Sequence, residues 1–148
     1  MKVDATNEVV VERPAAEVFA FVADAENDAA WRPGVLDIAR VAGDGPGTGA
    51  RYRQGVKGPG GRRIDADIET TAYEPDRRVG FRTVAGPVRP EGRYELTAEG
   101  TATRVRFALE AELRGLKVVL APAVRKAMAG EVGHLENLKR VLETGAAR

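Results

Sequence analysis

The only histidine of the chain, His134, lies three residues after Glu131. Imidazole suits general acid–base catalysis near neutral pH, and a carboxylate held away from water can also carry a proton. His134 and Glu131 are therefore the candidate catalytic residues if the protein is an enzyme. A structural interpretation stays open for each. His134 can be a histidine at the edge of the core, and Glu131 can lie at the rim of a cavity, paired with an arginine.

Polar side chains on predicted strands are candidates for holding a ligand by hydrogen bonds. Tyr52 and Gln54 share one strand face, and Tyr94 lies on another strand. Two phenols and an amide can orient a carbonyl or hydroxyl group, although strand tyrosines are as often structural. Together with apolar neighbours, the predicted ligand-binding residues are Tyr52, Gln54, Ile68, Tyr94, Phe107, Val124, Met128 and Leu135.

Composition argues against several classes of function. The 148 residues include no cysteine and one histidine, so we expect no disulfide, no metal site and no cofactor. The formal net charge is +1 and the basic pairs have no aromatic residues interleaved, so we expect no nucleic-acid partner. The glycine-rich segments 43–49 and 58–61 lack the Gly-Lys-Ser/Thr ending of a phosphate-binding loop and are predicted to be turns.

Length and hydropathy predict one soluble domain over residues 1–148. No segment approaches the roughly 20 apolar residues that span a bilayer, and the first residues lack the features of a secretory signal. The absence of cysteine is compatible with the cytoplasm, which is the predicted location. A homodimer through an edge strand or the terminal helix is left open.

The periodicity at the beginning of the chain predicts a strand followed by two short helices. Residues 8–12 form a β-branched run with charged flanks. Val18, Phe19 and Val22 recur at helical spacing after Pro14. Asp24 can cap a second short helix, which Pro33 and Gly34 would end.

The remainder of the chain predicts an antiparallel sheet and one long helix that covers it. Turn signals divide residues 35–112 into about six strands, and polar and apolar residues alternate, as expected for a sheet covered on one face. The covering helix is predicted from apolar positions at helical spacing, which are Leu116, Leu120, Val124, Met128, Leu135, Leu138 and Leu142. Pro122 predicts a kink or a new helix start near Ala121.

Several segments resemble one known family. Residues 11–24, followed by Trp31-Arg32-Pro33-Gly34-Val35, resemble the opening of the polyketide cyclase/dehydrase-like branch of the START-related superfamily, called SRPBCC. Residues 47–52, 73–78, 92–96 and 100–105 are similar to later landmarks of that family, in the same order. The resemblance implies an α+β helix-grip fold, in which a curved antiparallel sheet of about seven strands wraps around a long C-terminal helix. It also implies an apolar cavity for lipids, polyketides or other hydrophobic ligands.

Three functions follow from this resemblance. The preferred function is binding of a hydrophobic small molecule or lipid in the cavity. The alternative is an enzyme of the polyketide cyclase, dehydratase or aromatase type that uses the same cavity. The third is a protein-interaction or co-chaperone module, which requires an exposed apolar patch that the sequence does not predict. Convergence of at least two candidate polar groups on one enclosed space would favour the enzyme, whereas positions at the rim would favour binding alone.

Overall fold

The computed structural model describes residues 1–145, and within them eight strands form a single antiparallel sheet. The strands are β1 (Lys2–Val11), β2 (Val35–Ala42), β3 (Arg51–Lys57), β4 (Arg63–Asp65), β5 (Ile68–Glu74), β6 (Arg78–Thr83), β7 (Glu91–Glu99) and β8 (Ala102–Glu112). The α-helices are α1 (Ala15–Ala23), α2 (Ala121–Gly133) and α3 (Leu135–Thr144). Short 3-10 turns occupy Ala25–Ala30, Pro59–Gly61 and Gly115–Leu120. The predicted α+β helix-grip architecture is confirmed.

The strand order is β1-β8-β7-β6-β5-β3-β2, and β4 pairs with β3 beside β5. Only Ala66 and Asp67 separate β4 from β5, so these two short strands replace one predicted alternating strand. The separation occurs because Ala66 and Asp67 leave the strand pattern to bond elsewhere. The Ala66 N–H donates to the Gln54 carbonyl, and the Asp67 carbonyl accepts from Val84.

β1 and β8, the first and last strands of the chain, pair with each other at one edge of the sheet. Their register is continuous from Lys2 opposite Glu112 to Val11 opposite Thr103. Residues at alternate positions of the pair, including Val11 and Phe107, are buried against the helices. One face of the sheet is therefore the core face.

Two short helical segments follow β1, as the sequence predicts. Pro14 precedes α1, which buries Val18 and Phe19. The second segment is the 3-10 turn Ala25–Ala30, and the Asp24 side chain caps it by accepting a hydrogen bond from the Glu26 N–H at 3.1 Å. The predicted cap is thus correct.

The C-terminal covering segment agrees with the prediction at the start of α2 and differs from it before and after that helix. α2 begins at Ala121, as Pro122 predicted, but Leu116 and Leu120 do not face the sheet and are 90% and 41% exposed. The helix cannot extend toward them because proline has no N–H and its ring clashes with the preceding turn. A second break, which the sequence did not indicate, falls at His134, where ψ is −6°.

The core contains a large and a small cluster. The large cluster joins β1, β6, β7 and β8 to the three α-helices, whereas the small one consists of Ala25, Ala50, Tyr52 and Ile68. The half-buried Phe81 packs against both clusters. None of the helices within residues 1–145 is long and apolar enough to cross a bilayer.

Candidate functional site

A buried arginine organises the polar residues between the sheet and the helices. Arg32 Nη1 donates to Asp28 Oδ2 at 2.8 Å and to Gln54 Oε1 at 3.0 Å, while Arg32 Nε donates to the Glu131 carboxylate. The Arg32 side chain is 11% exposed. The network connects the 3-10 turn after α1 with β3 and α2, so a single cation joins three separate parts of the fold.

Local structure fixes the orientation of this network. The Asp28 carbonyl accepts from the N–H groups of Trp31 and Arg32, at 3.1 and 2.8 Å, which brings the Arg32 side chain back over Asp28. The Gln54 amide donates to the Ala66 carbonyl at 2.8 Å. Because the side-chain nitrogen of Gln54 is engaged there, its side-chain oxygen Oε1 faces Arg32.

The network places one guanidinium between two carboxylates. Burial raises the pKa of the Asp28 carboxyl to about 6, although Arg32 acts in the opposite direction. The pKa of Arg32 is also raised. Burial alone would lower it, but the negative charges of Glu131 and then Asp28 together outweigh the effect of burial. Arg32 is therefore a permanent cation, while Asp28 is the group whose charge changes in mildly acidic solution.

An aromatic cluster adjoins the network. The rings of Tyr94 and Phe107 are stacked with centroids 4.4 Å apart, and Trp31 meets each of them edge-on at 6.2 Å. Phe81 completes the cluster at 6.1 Å from Tyr94. The cluster depends on Gly92, since a Cβ there would lie 2.3 Å from Phe81 Cζ. We call Trp31, Phe81, Tyr94 and Phe107 the aromatic cluster.

Two buried donors of this cluster have no hydrogen-bond acceptor within residues 1–145, namely the Tyr94 hydroxyl and Trp31 Nε1. Burial raises the pKa of Tyr94 well above its ordinary value, and Asp28 adds to the shift, so the phenol keeps its proton. Leaving a buried polar group unpaired costs about 1–3 kcal/mol. These two donors lie beside an apolar ring surface, and an oxygen atom of a bound ligand would satisfy them.

His134 lies next to the network without being hydrogen-bonded to it. His134 Nδ1 is 3.9 Å from the nearer Glu131 oxygen, beyond hydrogen-bond length, and has no other acceptor or donor within the described part of the chain. The distance is short enough for a small movement of either side chain to join them.

The structure brings some of the sequence-predicted site residues together and separates others. Gln54 and Glu131 both bind Arg32, and Tyr94 lies close enough for Arg32 and Glu131 to influence its pKa. Phe107 belongs to the aromatic cluster. The remaining predicted residues are packed in the core: Tyr52 and Ile68 in the small cluster, and Met128, Leu135 and the half-buried Val124 in the large one.

Sequence reasoning missed the centre of the site. Arg32, Asp28 and Trp31 are not among the site residues that the sequence predicts. A usable signal was present, because Asp28 and Arg32 are four residues apart, with Asp28 inside the turn that Asp24 caps and Arg32 just after it. That spacing alone is common on protein surfaces, and only the fold shows that the pair is buried.

The structure also contains a cavity of about 550 Å³, which none of the residues of the Arg32 network or the aromatic cluster lines. Its walls are the segment 86–91, the adjoining ends of β1 and β8, and Lys117. Its volume is typical of a small-molecule site. None of the predicted ligand-binding residues lines it.

The described residues contain no group of three histidine, aspartate or glutamate side chains that could hold a metal ion. Asp28 and Glu131 both form ion pairs with Arg32, and the positive charge of Arg32 opposes the binding of a metal cation between them. The groups gathered here are charged side chains, hydrogen-bond donors and acceptors, and aromatic rings.

Comparison with known proteins gives a consistent result. The chain resembles the protein TTHA0849 of Thermus thermophilus, with 23% identity and a TM-score of 0.79, over 99% of each chain. It also resembles a START superfamily protein of Mycobacterium smegmatis, with 22% identity and a TM-score of 0.73, over 96% of this chain and 95% of that one. The Zhui aromatase/cyclase of Streptomyces sp. R1128 gives 17% identity and a TM-score of 0.73, over 99% and 94% of the two chains.

These solved structures share the fold of this chain. No curated protein matches its sequence. Residues 2–143 match the family described as polyketide cyclase / dehydrase and lipid transport. The match includes every element of the sheet and nearly all of the three helices. The chain therefore belongs to the polyketide cyclase/dehydrase and lipid transport family.

Proposed function

We propose that this protein binds a hydrophobic small molecule that carries rings and at least one oxygen acceptor. The rings lie against the aromatic cluster, and the oxygen faces Tyr94, Trp31 and Arg32. The apolar part is stabilised by burial at about 25 cal/mol per Å², and the oxygen is oriented by hydrogen bonds. Lipids without rings are weaker ligands in this proposal, because the surface beside the donors is aromatic.

The observation that carries the proposal is the pair of unpartnered buried donors, the Tyr94 hydroxyl and Trp31 Nε1. Both belong to side chains that stack or meet edge-on within the same cluster. An acceptor on the ligand would satisfy them and recover the free energy that their burial costs. A purely structural cluster of this kind would instead be expected to pair its donors internally.

Access to the site is through its less buried members. Phe81 is half-buried, and the Glu131 side chain is 24% exposed, whereas Trp31, Tyr94 and Phe107 are buried. A ligand can therefore reach the cluster by displacing Phe81 and the end of Glu131. The break at His134, next to Glu131, is where α2 can move separately from α3.

The experiment is a binding screen of flavonoids and aromatic polyketides, with straight-chain fatty acids for comparison. The fluorescence of Trp31, the only tryptophan, reports occupancy directly. Tyr94→Phe keeps the ring and removes the hydroxyl, so we expect affinity for a bound aromatic ligand to fall about two- to tenfold. Tyr73→Phe is the matched control, because Tyr73 packs against Phe19 outside the site. No binding of any aromatic compound, or equal losses in both variants, would contradict the proposal.

Convergence of the polar groups favours a second function, that of a cyclase or dehydratase acting in the same place. Gln54 and Glu131 meet at Arg32, and His134 is adjacent to Glu131. Here Glu131 or His134 would move the proton while Arg32 and Tyr94 stabilise a developing enolate oxygen. Recovering the bound aromatic ligand unchanged supports binding alone, whereas conversion that Glu131→Gln abolishes supports the enzyme.

A further inference from the structure

A short segment before α2 exposes an unusual number of large apolar side chains. Leu116 is 90% exposed and Val119 is 78% exposed, and Val118 and Leu120 are also exposed. These four side chains lie in the 3-10 turn Gly115–Leu120, which Pro122 holds outside the helix. Contiguous exposed apolar side chains of this kind mark an interaction surface.

The same part of the chain is exclusively basic. Residues 113–130 contain Arg114, Lys117, Arg125 and Lys126 and no aspartate or glutamate. All four basic side chains are exposed. Since the whole protein has a formal net charge of only +1, these four charges are a local concentration and not a general property of the surface.

We propose that residues 114–126 form a docking surface for an anionic lipid bilayer. Leu116 and Val119 insert at the boundary between headgroups and acyl chains, and the four basic side chains pair with lipid phosphates and carboxylates. Apolar insertion and charge attraction act together, because neither is strong enough alone for a segment this short. This proposal does not depend on the proposed function, since its exposed apolar and basic side chains are not among the residues that form the Arg32 network or the aromatic cluster.

A cavity borders the proposed docking surface. The cavity of about 550 Å³ is lined by Lys117 from this segment and by Leu113 directly before it. Lys117 Nζ also donates to the Pro87 carbonyl at 2.7 Å, across the cavity. A bilayer at residues 114–126 would therefore lie beside this cavity, whose walls carry Glu91, Glu110 and Glu112 as well as Lys2 and Arg89.

Charge argues against a second copy of the chain as the occupant. A symmetric contact through this segment would bring two sets of Arg114, Lys117, Arg125 and Lys126 together, with no acid in the segment to pair with them. A surface of uniformly negative headgroups has the complementary charge.

The test is co-sedimentation of the full chain with vesicles of phosphatidylcholine alone and of phosphatidylcholine mixed with phosphatidylserine. We expect binding only to the mixed vesicles, and loss of that binding at high salt. Val119→Gln should weaken binding at least tenfold, because it removes an inserted apolar side chain. Lys126→Gln should weaken it about fivefold, the effect of one basic residue near an anionic surface.

Matched controls lie elsewhere on the surface. Val41→Gln replaces a valine that is 58% exposed on β2, and Lys57→Gln replaces an exposed lysine on β3. Both should bind vesicles like the unmodified protein, and thermal melting should show all four variants folded. The proposal is overturned if mixed vesicles do not bind, if Val119→Gln binds as well as Val41→Gln, or if Val119→Gln instead abolishes a concentration-dependent dimer.

Discussion

At the scale of single residues, Arg32 determines what the site can do. Arg32 contacts Asp28, Gln54 and Glu131, and its charge acts on the pKa of the buried Tyr94 phenol. Burying charges is unfavourable unless each is paired, so the second carboxylate offsets part of the cost of enclosing the guanidinium. The result is a fixed positive charge that does not titrate, next to the Asp28 carboxyl, whose raised pKa lets its charge change in mildly acidic solution.

Asp28 makes the stability of the protein depend on pH in a direction opposite to that of most carboxylates. Its pKa is about 6 in the folded state against 3.8 for the ordinary group, so the folded protein keeps a proton that the unfolded chain releases between those values. Protonation of Asp28 therefore adds to the free energy of unfolding. That added stability is fully present below pH 3.8 and is lost as the pH rises through about 6. Asp28→Asn lacks it. We therefore expect the variant to gain up to about 3 kcal/mol in unfolding free energy, relative to the unmodified protein, between pH 4 and pH 7.

Urea unfolding at several pH values measures this difference. Carboxylates with lowered pKa, such as Glu69 and Glu143, act in the opposite direction but are shared by both proteins and cancel. Asp44→Asn is the control, because it makes the same substitution on an exposed turn outside the Arg32 network. A stability difference for Asp28→Asn that stays constant from pH 4 to pH 7 would show that Asp28 is ionised throughout.

At the scale of elements, two neighbouring strands depend on a glycine to form the aromatic cluster. Gly92 in β7 leaves room for the rings and methyl groups beside it. A Cβ at this position would lie 2.3 Å from Phe81 Cζ and 2.8 Å from Leu109 Cδ2. Phe81 in β6, which pairs with Gly92, can therefore extend its ring over Gly92 and approach Tyr94.

Gly92→Ala should displace Phe81 from Tyr94 and destabilise the protein by about 1–3 kcal/mol, as expected for overpacking. Near-ultraviolet circular dichroism should show a change in the aromatic signal, and affinity for an aromatic ligand should change with it. Gly34→Ala is the control, since a Cβ at Gly34 meets nothing within 4 Å. Equal unfolding free energies for the two variants would mean that β7 accommodates the methyl group without moving Phe81.

Elements could be predicted from the sequence where local chemistry determines them. Asp24, Pro122 and the alternation along β8 act on their immediate neighbours, and the structure agrees with all three. Leu116 was placed wrongly because helical spacing continues through it, although Pro122 prevents a helix there. The Arg32 network could not be predicted, because it joins residues up to 99 positions apart that only the folded sheet brings together.

At the scale of the whole molecule, the sheet consists of two parts that differ in how firmly they are held. β1, β8 and β7 are paired continuously along their length and carry the large core cluster. By contrast, the register between β3 and β5 joins only Arg51 with Glu69 and Tyr52 with Ile68. The β2–β3 pairing is interrupted twice, and the cluster behind it is small.

This difference predicts that β2, β3 and the 3-10 turn Ala25–Ala30 open together, at a lower free energy than β1, β7 and β8. Native-state hydrogen exchange should show earlier exchange for backbone amides such as Ile38 in β2 than for Val105 in β8. Because Arg32 and Gln54 lie in the weaker part while Tyr94 lies in the stronger one, an aromatic ligand bound across them should slow exchange mainly in β2 and β3. Slowing confined to β7 and β8 would place the ligand elsewhere, and uniform exchange without ligand would mean that the sheet opens as one unit. Weak pairing next to the site would thus let the fold open for a ligand while β1 and β8 stay closed.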